Sequence, residues 1–267
     1  MNRVSSARLV YADGSASSGD FPLSNADTFL PGAEIEIQAG AGSDIATLFK
    51  GIVVKQSLKV RDHTSPQLVV ECRHEAVRLT VGRRSAYWLD QTDADVMTAL
   101  LDGAGITGTV ESTALTHPQL VQYACTDWDF LVARAEANGR LVLTTDDGVE
   151  VAAPTFDGTP SVSFQFGATL LELDAEMDAR GQFAAVKSRS WDASRQEVVE
   201  MDAADPGVAG PGNVTADTLA GVVALDHLDL AHAALPEEEG QAWADAAWLK
   251  SRMSKTSGRL KSEGIGT

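Results

Sequence analysis

The chain has 267 residues, 44% hydrophobic and 22% charged, which is enough for two domains or for one domain with a large insertion. Its net charge of -17 is uneven: residues 1–90 balance acids against bases, residues 91–250 hold 27 acidic and seven basic side chains, and residues 251–267 are basic. The acidic middle argues against nucleic acid and anionic membranes as partners, and no stretch approaches the ~20 apolar residues of a membrane-spanning helix.

The first ninety residues read as strands. Ala7–Tyr11 is short and ends in the turn pair Asp13-Gly14. After a Ser/Gly-rich loop and Pro31-Gly32, Glu34–Gln38 alternates strictly, placing Ile35 and Ile37 on one face. The apolar stretch from Thr47 to Val60 contains Gly51, where a bulge or tight bend is expected. Leu68–Cys72 is a further strand, and this spacing suggests a barrel or sandwich.

The period then changes. Thr92 caps a helix from about Asp93 to Leu101, with Val96, Met97, Leu100 and Leu101 as its apolar stripe. A second helix starts at Thr126, with Asp127 and Asp129 in its first turn and Asn138-Gly139 as its stop. Asp146-Asp147-Gly148 between two apolar runs is a hairpin signal. Strands return from Ser161 to Val199, where Val162, Phe164 and Phe166 alternate and Asp192-Ala193-Ser194 marks a hairpin. A last helix runs from about Pro236 to Ser257, with Gly258 as its cap. Ala242, Trp243, Ala246, Leu249 and Met253 form one face of it. Trp248 lies on roughly the opposite side, so it needs another domain or subunit to cover it.

No catalytic, cofactor-binding or metal-binding centre emerges, and no cofactor is expected. His63, His74, His117, His227 and His232 lack zinc spacing with any cysteine. The first-turn position of Asp127 and Asp129 reads as helix capping rather than as a carboxylate pair. The Asp174, Glu176, Asp178 series would share one sheet face. Gly-x-Ser-x-Gly and phosphate-loop signatures are missing, and Gly207 to Gly212 reads as a linker. The two cysteines, Cys72 and Cys125, lie far apart and suit a reduced compartment, with Cys125 a small core residue. The N-terminus has no apolar signal-peptide core.

Specific strings then carry a resemblance. Phe29–Ile37, Leu48–Val53 and Glu71–Thr80 resemble the first barrel of the Vgr family. Leu120-Val121-Gln122-Tyr123, followed by Thr126-Asp127-Trp128-Asp129-Phe130-Leu131 and by Arg134 to Gly139, resembles that family's most specific signature; Ser188–Asp192 also fits. The opening strings are closest to its "Rhs element Vgr" branch. Asp127, Trp128, Asp129, Phe130, Asn138 and Gly139 are the signature residues, and Trp248 is a candidate interface residue.

The resemblance implies a β-rich α+β fold with phage-tail-hub-like barrels: a first barrel over residues 1–90, a small α/β module over 91–158, and a partial second barrel over 159–267 with a helical insertion at about 213–257. It also implies a structural, non-enzymatic hub in the spike of a contractile injection system, type VI-like, adapting a sixfold tube to a threefold spike as a homotrimer. Partners would be copies of itself, tube and baseplate proteins and a C-terminal spike needle, with no nucleic acid and no membrane span. Assembly would be cytoplasmic, in a particle that is released or fired. The chain is expected to be cut at both ends relative to the family, with the needle missing. Rival readings are a carbohydrate- or receptor-binding tail module, which would show clustered exposed aromatics, and a cell-wall hydrolase, which would need an acid–base pair or metal set in one cleft. The acidic surface is expected mainly on the α/β module and the insertion, leaving the barrel to neutral ring-forming contacts.

Overall fold

A computed structural model of the chain describes residues 2–41, 44–156, 158–160, 162–208 and 210–262. The alternating segments of the first ninety residues form one antiparallel sheet. Its strands are β1 (Ser6–Ala12), β2 (Glu34–Ala41), β3 (Asp44–Lys59) and β4 (Gln67–Arg73), in the order β1-β4-β3-β2. Breaks in register at Ile37/Gln38 and Val53/Lys55 curl it into a half-barrel. Phe49, Val53, Leu68, Val70 and Cys72 fill its concave side, with Leu9, Tyr11, Phe29, Ile35 and Ile37 packed against them. Gly51 answers to close packing: a Cβ there would lie 2.3 Å from the carbonyl oxygen of Arg73. Asp13, expected only as a turn residue, is buried. Its carboxylate accepts from the backbone N–H groups of Leu23 and Ser24, both at 2.8 Å, and so ties the far end of the Ser/Gly loop back to the end of β1.

The next unit contains β5 (Arg84–Thr92), α1 (Asp93–Gly103), β6 (Gly108–Val110), β7 (Thr116–Cys125), α2 (Asp127–Ala137), β8 (Leu141–Thr145) and β9 (Gly148–Ala152). The stripe foreseen on the first helix meets the second here. Val96, Met97, Leu100 and Leu101 of α1 pack with Trp128, Phe130, Leu131 and Ala135 of α2 over Val142, Val149 and Val151. Each fully buried large aliphatic side chain contributes on the order of 1.5–3 kcal/mol. Thr92 and Asp95 form a reciprocal capping box at the start of α1. Two strands unforeseen from sequence, β5 and β7, form an antiparallel ribbon whose inner residues Trp88 and Leu120 pack on this core.

The remainder contains β10 (Leu170–Met177), β11 (Val186–Asp192), β12 (Glu197–Asp202), α3 (Ala216–Val223), β13 (Leu228–Ala231), α4 (Glu237–Met253) and β14 (Thr256–Ser262). The sheet β12-β11-β13 is antiparallel between β11 and β12 and parallel between β11 and β13. The segment expected as a helical insertion therefore also supplies a strand. Three other details differ from the sequence reading. Val162, Phe164 and Phe166 lie outside any strand, and among the described residues their one pairing is a single bridge from Phe166 to Leu170. The last helix ends at Met253. Gly258 belongs to β14, where a Cβ would meet the carbonyl oxygen of Asp174 at 2.5 Å, so its task is close strand approach rather than capping. No helix among the described residues is long and apolar enough to cross a membrane.

Candidate functional site

The polar side chains of the signature turn inward as well as outward. Thr126 is the N-cap of α2, its hydroxyl accepting from the Asp129 N–H at 3.0 Å. Asp127 has a task beyond capping. It is buried, and its carboxylate accepts from Gln122 Nε2 (2.9 Å) and pairs with Arg84. Gln122 and Arg84 come from the two strands of the β5–β7 ribbon, so one carboxylate fastens both strands to the start of α2. Trp128 and Phe130 point into the core. Replacing Thr126 by alanine is expected to lower unfolding free energy by ~1 kcal/mol, read by urea denaturation; an unchanged midpoint would show the cap to be dispensable.

A second polar cluster is deeper, and sequence reasoning missed it. Arg134 of α2 donates from Nε to Asp93 Oδ1 (2.5 Å) and from Nη2 to Asp93 Oδ2 (3.0 Å), a bidentate pair across α1 and α2. The same Nη2 reaches Glu239 Oε1 of α4 at 2.9 Å. His117 of β7 donates from Nε2 to Asp93 Oδ2 (3.1 Å), and its Nδ1 faces Glu239 Oε2 at 3.8 Å. Asn138 Nδ2 donates to Asp93 Oδ2 (2.8 Å) and to the carbonyl oxygen of Arg134 (2.9 Å). Burial pushes the Asp93 carboxyl up, but hydrogen bonds from Arg134, Asn138 and His117 and the Arg134 charge outweigh it and hold that carboxyl below its usual range. Burial likewise opposes the Arg134 charge, yet Asp93 and Glu239 raise its pKa. The sequence signal was a cation inside an apolar stripe: Arg134 sits three and four residues after Leu131 and Phe130.

Asn138 thus joins this cluster, while Gly139 is needed for its backbone: φ is +63°, and a Cβ there would make only ordinary contacts with Leu249 (3.4 Å) and Ala246 (3.6 Å) of α4. The opposite side of α4 lies on the sheet β12-β11-β13. Trp248 is 8% exposed and packs within the chain, in a cluster with Val186 and Ala244 and against Phe183, Leu228 and Leu230. Its Nε1 donates to the carbonyl oxygen of Phe183 (3.2 Å), and the Arg252 guanidinium lies 5.3 Å from its ring centroid. At Gly240 the tip of Met201 fills the space a Cβ would take. So α4 is held on both sides, by the α1–α2 module and by the later sheet.

This geometry fastens elements together. Asp93, His117, Arg134 and Glu239 are all buried, and the Arg134 guanidinium bridges Asp93 of α1 and Glu239 of α4. Among the described residues no group of three or more His, Cys, Asp or Glu is placed to hold a metal ion. Two open clefts stand out: one of about 650 Å³ lies along β10–β14, lined by Leu173 to Glu176 and Ser257 to Arg259, and one of about 380 Å³ between β2, β3 and the turn at His74 is lined by both charge signs, including Glu34, Glu36, Lys50 and Arg78. His74 accepts from the Ala76 N–H at Nδ1 (3.1 Å) and donates from Nε2 to the carbonyl oxygen of Thr145 (3.1 Å), joining the barrel to β8.

Two ribbons leave apolar faces uncovered. On β10–β14, Leu173 lies opposite Leu260, and these residues with Leu171 and Met177 are exposed. The other face is charged, with Glu172 opposite Lys261 and Asp174 opposite Arg259. On β5–β7, the outward residues are Tyr87, Leu89, Val121 and Tyr123.

A search of curated protein sequences finds no match. Solved structures do match. The 43 kDa tail protein of prophage MuSo2 from Shewanella oneidensis is 14% identical and superposes with a TM-score of 0.64 over 97% of this chain and 73% of that one. A tail protein from Neisseria meningitidis MC58, also 14% identical, superposes with a TM-score of 0.52 over 82% of this chain and 68% of its own. The chain therefore has the β-rich fold of phage tail proteins, as the hub resemblance implied. The matching family model is a different one from Vgr. The Alg8 N-terminal domain model covers residues 1–267, and the chain belongs to the Alg8 N-terminal domain family.

Proposed function

We propose that the chain is a structural, non-enzymatic subunit of the hub of a contractile, tail-like injection particle, assembling with copies of itself as a homotrimer between a sixfold tube and a threefold spike. The observation that carries this reading is the β10–β14 ribbon. It is amphipathic, with Leu171, Leu173, Met177 and Leu260 on an uncovered side and paired charges on the other. A two-stranded ribbon is marginally stable alone and needs its apolar face covered. The tail-protein fold supports further strands as that cover, completing a second barrel after a first one over residues 1–90. The module at 91–158 would then space the two barrels, and α4 would fix their relative orientation.

Tube and baseplate proteins and a spike needle are the partners this reading calls for. They need large matched surfaces, of ~2,000 Å² or more when permanent, rather than a reactive pocket. Light scattering on the protein should give the mass of a trimer. A stable monomer at micromolar concentration would sink the hub reading.

A further inference from the structure

We propose that the cleft between the first turn of α3 and the end of α4 binds a small tetrahedral oxyanion of the phosphate class. The inference stands apart from the structural role proposed above and does not depend on it.

The cleft has a volume of about 300 Å³, and its lining includes Arg252 and Lys255 after and within the last turn of α4, and Asn213, Thr215 and Asp217 around the start of α3. Both cations are buried, Arg252 at 6% exposure and Lys255 at 3%. A guanidinium carries five N–H donors, and buried donors are normally satisfied. Among the described residues the Arg252 side chain makes one hydrogen bond, from Nη2 to Asp217 Oδ1 at 2.6 Å. Its Nη1 is buried and has no partner. The Trp248 ring, with its centroid 5.3 Å from the guanidinium carbon, supplies a π face and no oxygen acceptor. Lys255 Nζ donates to the carbonyl oxygens of Pro211 (2.7 Å) and Val214 (2.9 Å), which use two of its three N–H groups. Both partners are neutral, so the ammonium has no counter-ion among the described residues.

These cations meet the positive end of a helix. Asp217 is the second residue of α3, and Val214 precedes its N-cap Thr215, so guanidinium and ammonium both reach the α3 N-terminus. Thr215 takes the N–H groups of Thr218 (3.1 Å, on its hydroxyl) and Leu219 (3.2 Å, on its carbonyl oxygen). The N–H groups of Ala216 and Asp217 have no acceptor within the helix. The C-terminal end of α4 suits a cation, but two buried cations facing the start of α3 are offset best by an anion between them. Asp217 does this only in part, because its side chain is 76% exposed and reaches Arg252 alone. Asp205, also on the cleft, accepts from the Gly207 N–H (2.9 Å). A tetrahedral oxyanion can accept at once from Arg252, from the third N–H of Lys255 and from the first turn of α3, whereas a planar carboxylate has two oxygens for these three sources.

The test is isothermal titration of the protein with inorganic phosphate at constant ionic strength, with acetate as the planar comparison. Phosphate should bind with a Kd of about 1 mM or below, and acetate at least about tenfold more weakly. Asp217→Ala frees Arg252 Nη2 and removes a repelling charge, so it should tighten phosphate at least about threefold. Arg252→Gln should weaken phosphate at least about tenfold. Asp217 is exposed, so Asp217→Ala carries the test where Arg252→Gln does not fold. Three results overturn the proposal. Absence of phosphate binding at about 20 mM removes the site. Acetate binding as tight as phosphate marks a carboxylate site instead. A phosphate affinity unchanged by Asp217→Ala places the anion elsewhere on the molecule.

Discussion

Replacing Arg134 by alanine lowers the unfolding free energy by about 3–5 kcal/mol, the expected cost of leaving buried charges without their partner. Two carboxylates depend on this guanidinium, Asp93 at 2.5 Å and Glu239 at 2.9 Å, and both are buried. Glu239→Gln should be milder, because Arg134 keeps its bidentate partner while α4 loses one link to the module. Urea denaturation followed by circular dichroism gives the magnitudes. Hydrogen exchange in α4 separates the two variants, since Glu239→Gln should loosen that helix before the module. The pH dependence has a definite sign. Asp93 is held below the usual carboxyl range in the folded state, so its stabilisation is complete above about pH 4 and is lost as pH falls through the depressed value. Asp93→Asn should therefore be weaker at neutral pH and show a shallower loss of stability in acid. Equal acid slopes would show that Asp93 is not the linked group.

Trp248→Ala should cost a similar ~3–5 kcal/mol, for a different reason. The indole lies between α4 and the β12-β11-β13 sheet, in a cluster with Val186 and Ala244 against which Phe183, Leu228 and Leu230 pack. Its removal leaves a cavity, frees the Phe183 carbonyl oxygen from its 3.2 Å bond and takes away the ring beside Arg252. Trp248→Phe keeps most of the volume and loses the hydrogen bond, so it should fall well short of the alanine effect. Equal losses in the two variants would mean that the hydrogen bond, rather than packing, holds α4 on the sheet. Thermal unfolding of both proteins supplies the comparison.

The legible parts of the sequence are those where one periodicity dominates. Ile35 and Ile37 on β2, the α1 stripe and the hairpin at Asp146-Asp147-Gly148 all satisfy a single local rule, and the structure places them accordingly. The β5–β7 ribbon was not visible, because both of its strands break the pattern. Asp90 adopts φ +52° inside β5, and Pro118 interrupts β7. The buried polar cluster was harder still. Asp93 and Glu239 each had a sufficient local explanation at a helix start, and His117 stood alone between loops. Only the tertiary fold brings residues 93, 117, 134, 138 and 239 within hydrogen-bonding range. Trp248 left a local mark, a large aromatic on the side of α4 away from its apolar stripe, but nothing in the sequence said which surface it would meet.

The pairing of β10 with β14 has a consequence for how this fold tolerates change. Met177 and Thr256 are directly opposite, so the chain leaves the ribbon and returns to it at one doorway. Everything between, including β11, β12, α3, β13 and α4, hangs from that doorway as a pendant unit. Lengthening the pendant costs little, since doubling a closed span adds only about 0.6 kcal/mol of closure entropy. Its exposed loops can accept inserted sequence without shifting the ribbon register, but the stretch from Pro211 to Val214 is a poor place for it, because the buried Lys255 clasps the carbonyl oxygens of Pro211 (2.7 Å) and Val214 (2.9 Å). The α4 helix sets the limit, because its bond to Arg134 ties the pendant back to the module.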